Sequence, residues 1–67
     1  MAKIQLNGKK VKINSNYSLS DLLKKYNLSI GKVAIEYNGA IISKENLKKK
    51  LLKNDDKVEI VHFIGGG

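Results

Sequence analysis

With 67 residues the chain has room for one domain and one core, and a fold of this size buries only about 60% of the surface its unfolded chain exposes. It has no cysteine and a single histidine, which excludes a disulfide framework, a thiolate metal site and a histidine zinc cage. Thirteen basic residues against six acids give a net charge of +7; every one of the thirteen is lysine, so arginine, the usual reader of base edges and phosphates, is missing.

From the start, Ile4 and Leu6 alternate with Lys3, Gln5 and Asn7, and after Asn7-Gly8 the alternation resumes through Val11, Lys12 and Ile13. Asn-Gly between alternating runs is the strongest short hairpin signal. A two-residue loop at Asn7-Gly8 sets Gln5 opposite Lys10 and Ile4 opposite Val11, with the apolar pair on one side. The opening residues Met1-Ala2-Lys3-Ile4 lack an apolar signal region and no stretch has the length of a membrane span, so a cytoplasmic protein is expected.

The period then changes. Leu19, Leu22, Leu23 and Tyr26 share one helical face, which predicts a helix over about residues 19 to 26. Ser18 is placed to cap it, Asp21 to complete a capping box, and Tyr17 to staple onto Leu22. Asp21 and Lys25 form an i,i+4 pair. Asn27 is the expected terminator, with Leu28 and Ile30 tucking the following loop under the helix before Gly31 turns it.

Val33 to Tyr37 reads as a third strand, and Asn38-Gly39 repeats the hairpin chemistry into a short fourth strand at Ala40, Ile41 and Ile42, with Ile35 facing Ile42. Ser43 begins a short helical turn through Leu47, with Glu45 and Lys49 as a pair, and Leu51 and Leu52 anchor this connection. Lys48, Lys49, Lys50 and Lys53 form its solvated side, a phosphate-binding patch being the other reading. Asn54-Asp55-Asp56 is turn chemistry. The fifth strand runs from Val58 to Ile64, with Val58 and Ile60 on one face and Glu59, Val61 and Phe63 on the other. Both faces are partly apolar near its end, which suggests a central strand whose outer face is kept for a partner; Val61, Phe63 and Ile64 stand about level between core residues and a docking patch beside the tail.

Gly65, Gly66 and Gly67 follow this strand directly. Without a Cβ they can pass through a slot as narrow as a bare peptide, and three extended residues span about 10 Å. On the glycines alone a tail that enters a partner's buried site and a frayed end stand about level. His62 fits a hydrogen-bonded or half-exposed strand residue better than a general base, because no second partner for a nucleophile is evident. Tyr17, Tyr26 and Tyr37 are too scattered for a base-stacking platform.

The order ββαβββ thus gives an α+β domain over residues 1 to 64 and a flexible tail over residues 65 to 67. Such a chain, with its opening Ile4-Gln5-Leu6-Asn7-Gly8, its Ser18-Leu19-Ser20-Asp21-Leu22-Leu23, its Val33-Ala34-Ile35-Glu36 with Asn38-Gly39, and above all its closing Asp56 to Gly67, resembles the ubiquitin-like β-grasp proteins. Within them it is most similar to the ThiS family, the sulfur carriers of thiazole and thiamine biosynthesis. The likeness runs the whole length, and its specific part is the closing segment, expected to be the true chain end.

The resemblance implies a mixed sheet whose last strand lies centrally, parallel to the first, with the helix across one face. It implies a carrier and not an enzyme. An adenylating enzyme of the ubiquitin-activating type would use ATP and Mg to activate the Gly67 carboxylate, the carrier itself binding no cofactor and no metal. A persulfide donor would supply sulfur, and thiazole synthase would consume the thiocarboxylate. Gly65 and Gly66 would give the terminus access. A molybdopterin-synthase small subunit or a lysine-linked modifier shares the fold and stays open, as does, from another class, a small basic RNA-binding domain.

Overall fold

The computed structural model describes residues 1–62. It contains strands β1 (Ala2–Leu6) and β2 (Lys9–Ile13), helix α1 (Leu19–Lys25), and strands β3 (Val33–Tyr37), β4 (Ala40–Ile41) and β5 (Lys57–His62), with single 3-10 turns at Ile30–Lys32 and Lys44–Asn46. The five strands form one mixed sheet in the order β2-β1-β5-β3-β4. The last strand is therefore central, parallel to β1 and antiparallel to β3.

Each hairpin follows from its Asn-Gly pair. Asn7 and Gly8 take φ of 49° and 84°, and Asn38 and Gly39 take 50° and 89°. Two successive left-handed residues make the turn whose twist matches that of the flanking strands, and asparagine tolerates this region better than most residues. The register is the expected one, with Ile4 opposite Val11 and Gln5 opposite Lys10. At the second hairpin the ladder runs Glu36 to Ile41 and Tyr37 to Ala40, and Ile42 continues it by donating its N–H to the Ile35 carbonyl at 3.0 Å.

Helix α1 begins at a complete capping box: the Asp21 N–H donates to Ser18 Oγ, and the Ser18 N–H donates to the Asp21 carboxylate, both at 3.0 Å. The Ser18 amide, followed by the Ser18 hydroxyl and the charge of Lys24, holds the Asp21 pKa below its usual value against some desolvation. The first helical amides would otherwise be orphaned; Leu19 and Ser20 donate to the carbonyls of Lys50 and Leu47, at 3.0 and 3.1 Å. At the other end Asn27 is left-handed at φ 57°. Its N–H donates to Lys24 and that of Leu28 to Leu23, at 3.1 and 2.9 Å, which is the Schellman closure.

The core lies between one face of the sheet and α1. Ile4, Ile13, Leu19, Leu22, Leu23 and Val58 are sealed within it, with Leu47 and Leu52 closing one end. Tyr17, Leu28 and Ile30 pack against its rim. One expected anchor differs: Leu51 is 50% exposed. The chain makes an isolated antiparallel bridge between Ser18 and Leu51, and Leu52 donates to the Tyr17 carbonyl at 2.7 Å; this extended backbone sends adjacent side chains to opposite sides, so only one of the two leucines can point inward. A mixed sheet with a central parallel last strand and one helix across one face is the ubiquitin-like β-grasp fold.

Candidate functional site

The residues proposed to carry function all belong to the end of the chain, so the site is built by whatever holds β5. Along this strand the side chains alternate between faces. Val58 and Ile60 point into the core, at 0% and 9% exposure. Glu59 and Val61 lie on the opposite face, and both are exposed; Val61, at 58%, stands opposite Ala34 on β3. His62 is exposed and pairs with Val33. Phe63, Ile64, Gly65, Gly66 and Gly67 lie outside the described residues, and with them the last two residues of the 1–64 domain and the whole 65–67 tail expected from sequence.

Two side chains from the hairpin turns grip β5. Beyond the end of β1, the Asn7 N–H donates to the Val58 carbonyl at 2.9 Å. Its side chain then takes over the role of a strand backbone: Oδ1 accepts from the Ile60 N–H at 2.7 Å, and Nδ2 reaches the Ile60 carbonyl at 3.4 Å. The parallel pairing is thus carried past the last residue of β1. At the start of β5 the second turn does the same. The Asn38 N–H donates to the Lys57 carbonyl, and the Lys57 N–H donates to Asn38 Oδ1, both at 2.7 Å.

Beside Asn38 sits Asp56, 5% exposed. Its carboxylate accepts from the Tyr37 hydroxyl at 2.7 Å, the Lys53 N–H at 2.8 Å and Asn38 Nδ2 at 3.1 Å. Burial alone would raise its pKa; the Tyr37 hydroxyl, the Lys53 amide, the Asn38 amide and the Lys53 charge outweigh burial and hold it below the usual 3.8. Tyr37 is pushed up to about 12, by its own burial first and then by the hydrogen bond to Asp56 and that group's charge. The Lys50 ammonium lies 5.6 Å from the Tyr37 ring centroid, within cation–π range. Asp56 is therefore a buried anchor and more than turn chemistry, and Lys50 departs from a purely solvated lysine run. Asp55 keeps the turn role: it is left-handed at φ 70°, and its N–H donates to the Lys3 carbonyl at 2.8 Å.

Sequence reasoning assigned Asn7 and Asn38 to turns and did not see their second task. The signal was the residue type. Both hairpins place asparagine ahead of glycine, and an amide side chain presents a donor and an acceptor on separate atoms, as a strand's free N–H and C=O require.

Among the described residues no group of three or more His, Cys, Asp or Glu side chains could hold a metal ion, and no helix is long and apolar enough to cross a membrane. What the fold offers is a central strand tied at Lys57 and again at Ile60.

Comparison with known proteins agrees with this architecture. The ThiS family model matches residues 3–67. The chain is 45% identical over 65 residues to the sulfur carrier protein ThiS of Bacillus subtilis, covering 96% of this chain and 98% of that protein. It is also 40% identical over 65 residues to a thiazole synthase of Magnetococcus marinus; that match covers 97% of this chain but spans only 20% of the length of the relative. Among solved structures, the crystal structure of the thiamine biosynthesis protein ThiS from Geobacter metallireducens superposes with a TM-score of 0.83 at 26% identity, over 97% of this chain and 99% of that one.

Proposed function

The chain belongs to the ThiS family, and from that premise we propose that it is a sulfur carrier of thiamine biosynthesis whose reactive group is the carboxylate of Gly67. The observation that carries this reading is the family match through residue 67, which includes the three glycines. The structure supports it by tying the strand that precedes them into the centre of the sheet.

A carboxylate resists nucleophiles at neutral pH because it is anionic and resonance-stabilised. An ATP-dependent activating enzyme, with Mg, would join the Gly67 carboxylate to AMP and release pyrophosphate, giving a mixed anhydride with a good leaving group. The terminal sulfur of a protein persulfide then attacks the acyl carbon; AMP leaves with the bonding pair, and an acyl disulfide forms. A thiol of the activating machinery attacks the other sulfur of that bond, is itself oxidised to a disulfide, and leaves the carrier as a thiocarboxylate. Dividing a hard transfer through covalent intermediates is the logic of nucleophilic catalysis, with the carrier as the substrate and not the catalyst. Thiazole synthase is the proposed consumer of the sulfur.

The roles of this chain's residues follow. Gly65 and Gly66 give the terminus a path into a narrow site. Val61, Phe63 and Ile64 are the residues assigned to docking. Asn7, Asn38 and Asp56 keep the base of that segment fixed, so docking does not have to order it. A chain ending at Gly65 is expected to fold as before and to give no ATP–pyrophosphate exchange with the activating enzyme; exchange at the full-length rate would overturn the assignment.

A further inference from the structure

The chain holds two Asn-Gly pairs, Asn7-Gly8 and Asn38-Gly39, and both asparagines do more than turn the chain. Asparagine ahead of glycine is the setting in which a side-chain amide is most readily lost, because glycine has no Cβ to hinder approach of its backbone nitrogen to the asparagine Cγ. Nothing encloses either pair: all four residues are exposed, and a Cβ on either glycine would meet no atom within 4 Å. What differs from a free loop is the side chain. At Asn38, Oδ1 accepts from the Lys57 N–H at 2.7 Å and Nδ2 donates to the Asp56 carboxylate at 3.1 Å, so the amide can reorient only by giving up both bonds. Asn7 is held in the same way by the Ile60 N–H at 2.7 Å and, more loosely, by the Ile60 carbonyl at 3.4 Å.

The two sites differ in what the product of amide loss would meet. Deamidation replaces Nδ2 by an oxygen. At Asn7 that oxygen comes against one carbonyl across a contact that is already long, and the acceptor for the Ile60 N–H is kept. At Asn38 it comes against the carboxylate of Asp56, which is buried and committed to the Tyr37 hydroxyl and the Lys53 N–H. Two carboxylates at this separation cannot both ionise without a large cost, and burial leaves little water to screen them. The isoaspartate product also adds a backbone carbon to a two-residue turn whose geometry sets the strand register. Either product at Asn38 undoes the tie at the start of β5.

We propose that Asn38 is a site of spontaneous covalent modification, held in check by Asp56 and the Lys57 amide, and that its deamidation releases the central strand of the sheet at its start. The Gly39 nitrogen, having given its proton to solvent, attacks Asn38 Cγ. The new C–N bond closes a cyclic imide, and the Cγ–Nδ2 bond breaks, Nδ2 keeping the bonding pair and taking a proton from water to leave as ammonia. Water then opens the ring at either carbonyl, giving aspartate or isoaspartate. One water is consumed and one ammonia released, with no change of oxidation state. The rate is set by how often Asn38 leaves its two partners, which is a local opening of the fold. The grip on β5 and the chemical lifetime of the chain are therefore one property. This inference stands apart from the sulfur-carrier reading, because it is read in the covalent state of residue 38.

The test incubates the full chain at mildly alkaline pH, folded and in urea, and follows Asn7 and Asn38 by peptide mapping that separates asparagine, aspartate and isoaspartate. Asn38 is expected to deamidate at least about tenfold more slowly in the folded chain than in urea, since opening must precede attack. Asp56→Ala, which frees Nδ2, is expected to raise the folded-state rate at Asn38 several-fold relative to that at Asn7, and the ratio of the two sites separates local release from global unfolding. Tyr37→Phe, which leaves both bonds of Asn38 in place, is expected to leave that ratio unchanged. Asn38→Asp, one of the two products made directly, is expected to melt below Asn7→Asp, and this comparison holds even where Asp56→Ala does not fold. Equal rates at Asn38 in the folded and the urea-treated chain, an unchanged ratio in folded Asp56→Ala, or Asn38→Asp melting as high as Asn7→Asp overturns the proposal.

Discussion

Replacing Asp56 with alanine tests most severely how the functional strand is held. The carboxylate accepts from the Tyr37 hydroxyl, the Lys53 N–H and Asn38 Nδ2. A hydrogen bond to a charged group is worth about 1.5 to 3 kcal/mol. The three are not additive, and exposed Asn38 regains water, so a net loss of about 3 kcal/mol is expected. A domain of this length has roughly 3 to 10 kcal/mol in total, so Asp56→Ala should lower the urea midpoint by about 30% or more. Tyr37→Phe, which leaves two of the three donors, should lose about half as much.

The pH dependence follows from the direction of each shift. Asp56 has a lowered folded pKa, so its contribution is present above the ordinary 3.8 and is lost as pH falls below that value toward its folded pKa. Tyr37 has a raised one. Its contribution is complete below the ordinary 10.0 and is lost as pH rises from there to about 12. The stability difference between the unaltered chain and Asp56→Ala should therefore shrink in acid, and that against Tyr37→Phe should shrink across the alkaline window. An unfolding free energy for Asp56→Ala within about 1 kcal/mol of that of the unaltered chain, or differences that stay flat with pH, would refute the anchoring role.

Asn7→Gly keeps the left-handed turn residue and removes the side-chain grip on Ile60. It is expected to cost about 1 kcal/mol and to speed amide exchange at Ile60 well beyond the change at Val58; Asn7→Asp, which keeps the Oδ acceptor, should restore slow exchange. Ser18→Ala removes the hydroxyl that caps the Asp21 amide and should lower stability by about 1 kcal/mol, read in the urea midpoint with the sheet's chemical shifts unchanged.

Much of this architecture is legible in the chain because local signals and the global fold agree. Asn7-Gly8 and Asn38-Gly39 specify turn geometry and hence register, and Ser18 with Asp21 marks the helix start. Val58 and Ile60 separate from Glu59 and Val61 by simple alternation. The tertiary uses of the same residues are not legible. Nothing local shows that Asn7 meets Ile60, 53 positions away, or that Asp56 receives the hydroxyl of Tyr37 and so is a buried acceptor. Leu51 and Leu52 look equivalent as apolar neighbours until the bridge to Ser18 decides which one faces inward.

The claim that the chemistry resides in the last acyl group is tested most directly by the intact mass of the chain after incubation with its activating enzyme, ATP, Mg and a persulfide donor. The account predicts exchange of one oxygen for sulfur, localised to Gly67 by fragmentation and lost when ATP is left out. An unchanged mass under conditions that consume ATP, or sulfur found on any other residue, would contradict it.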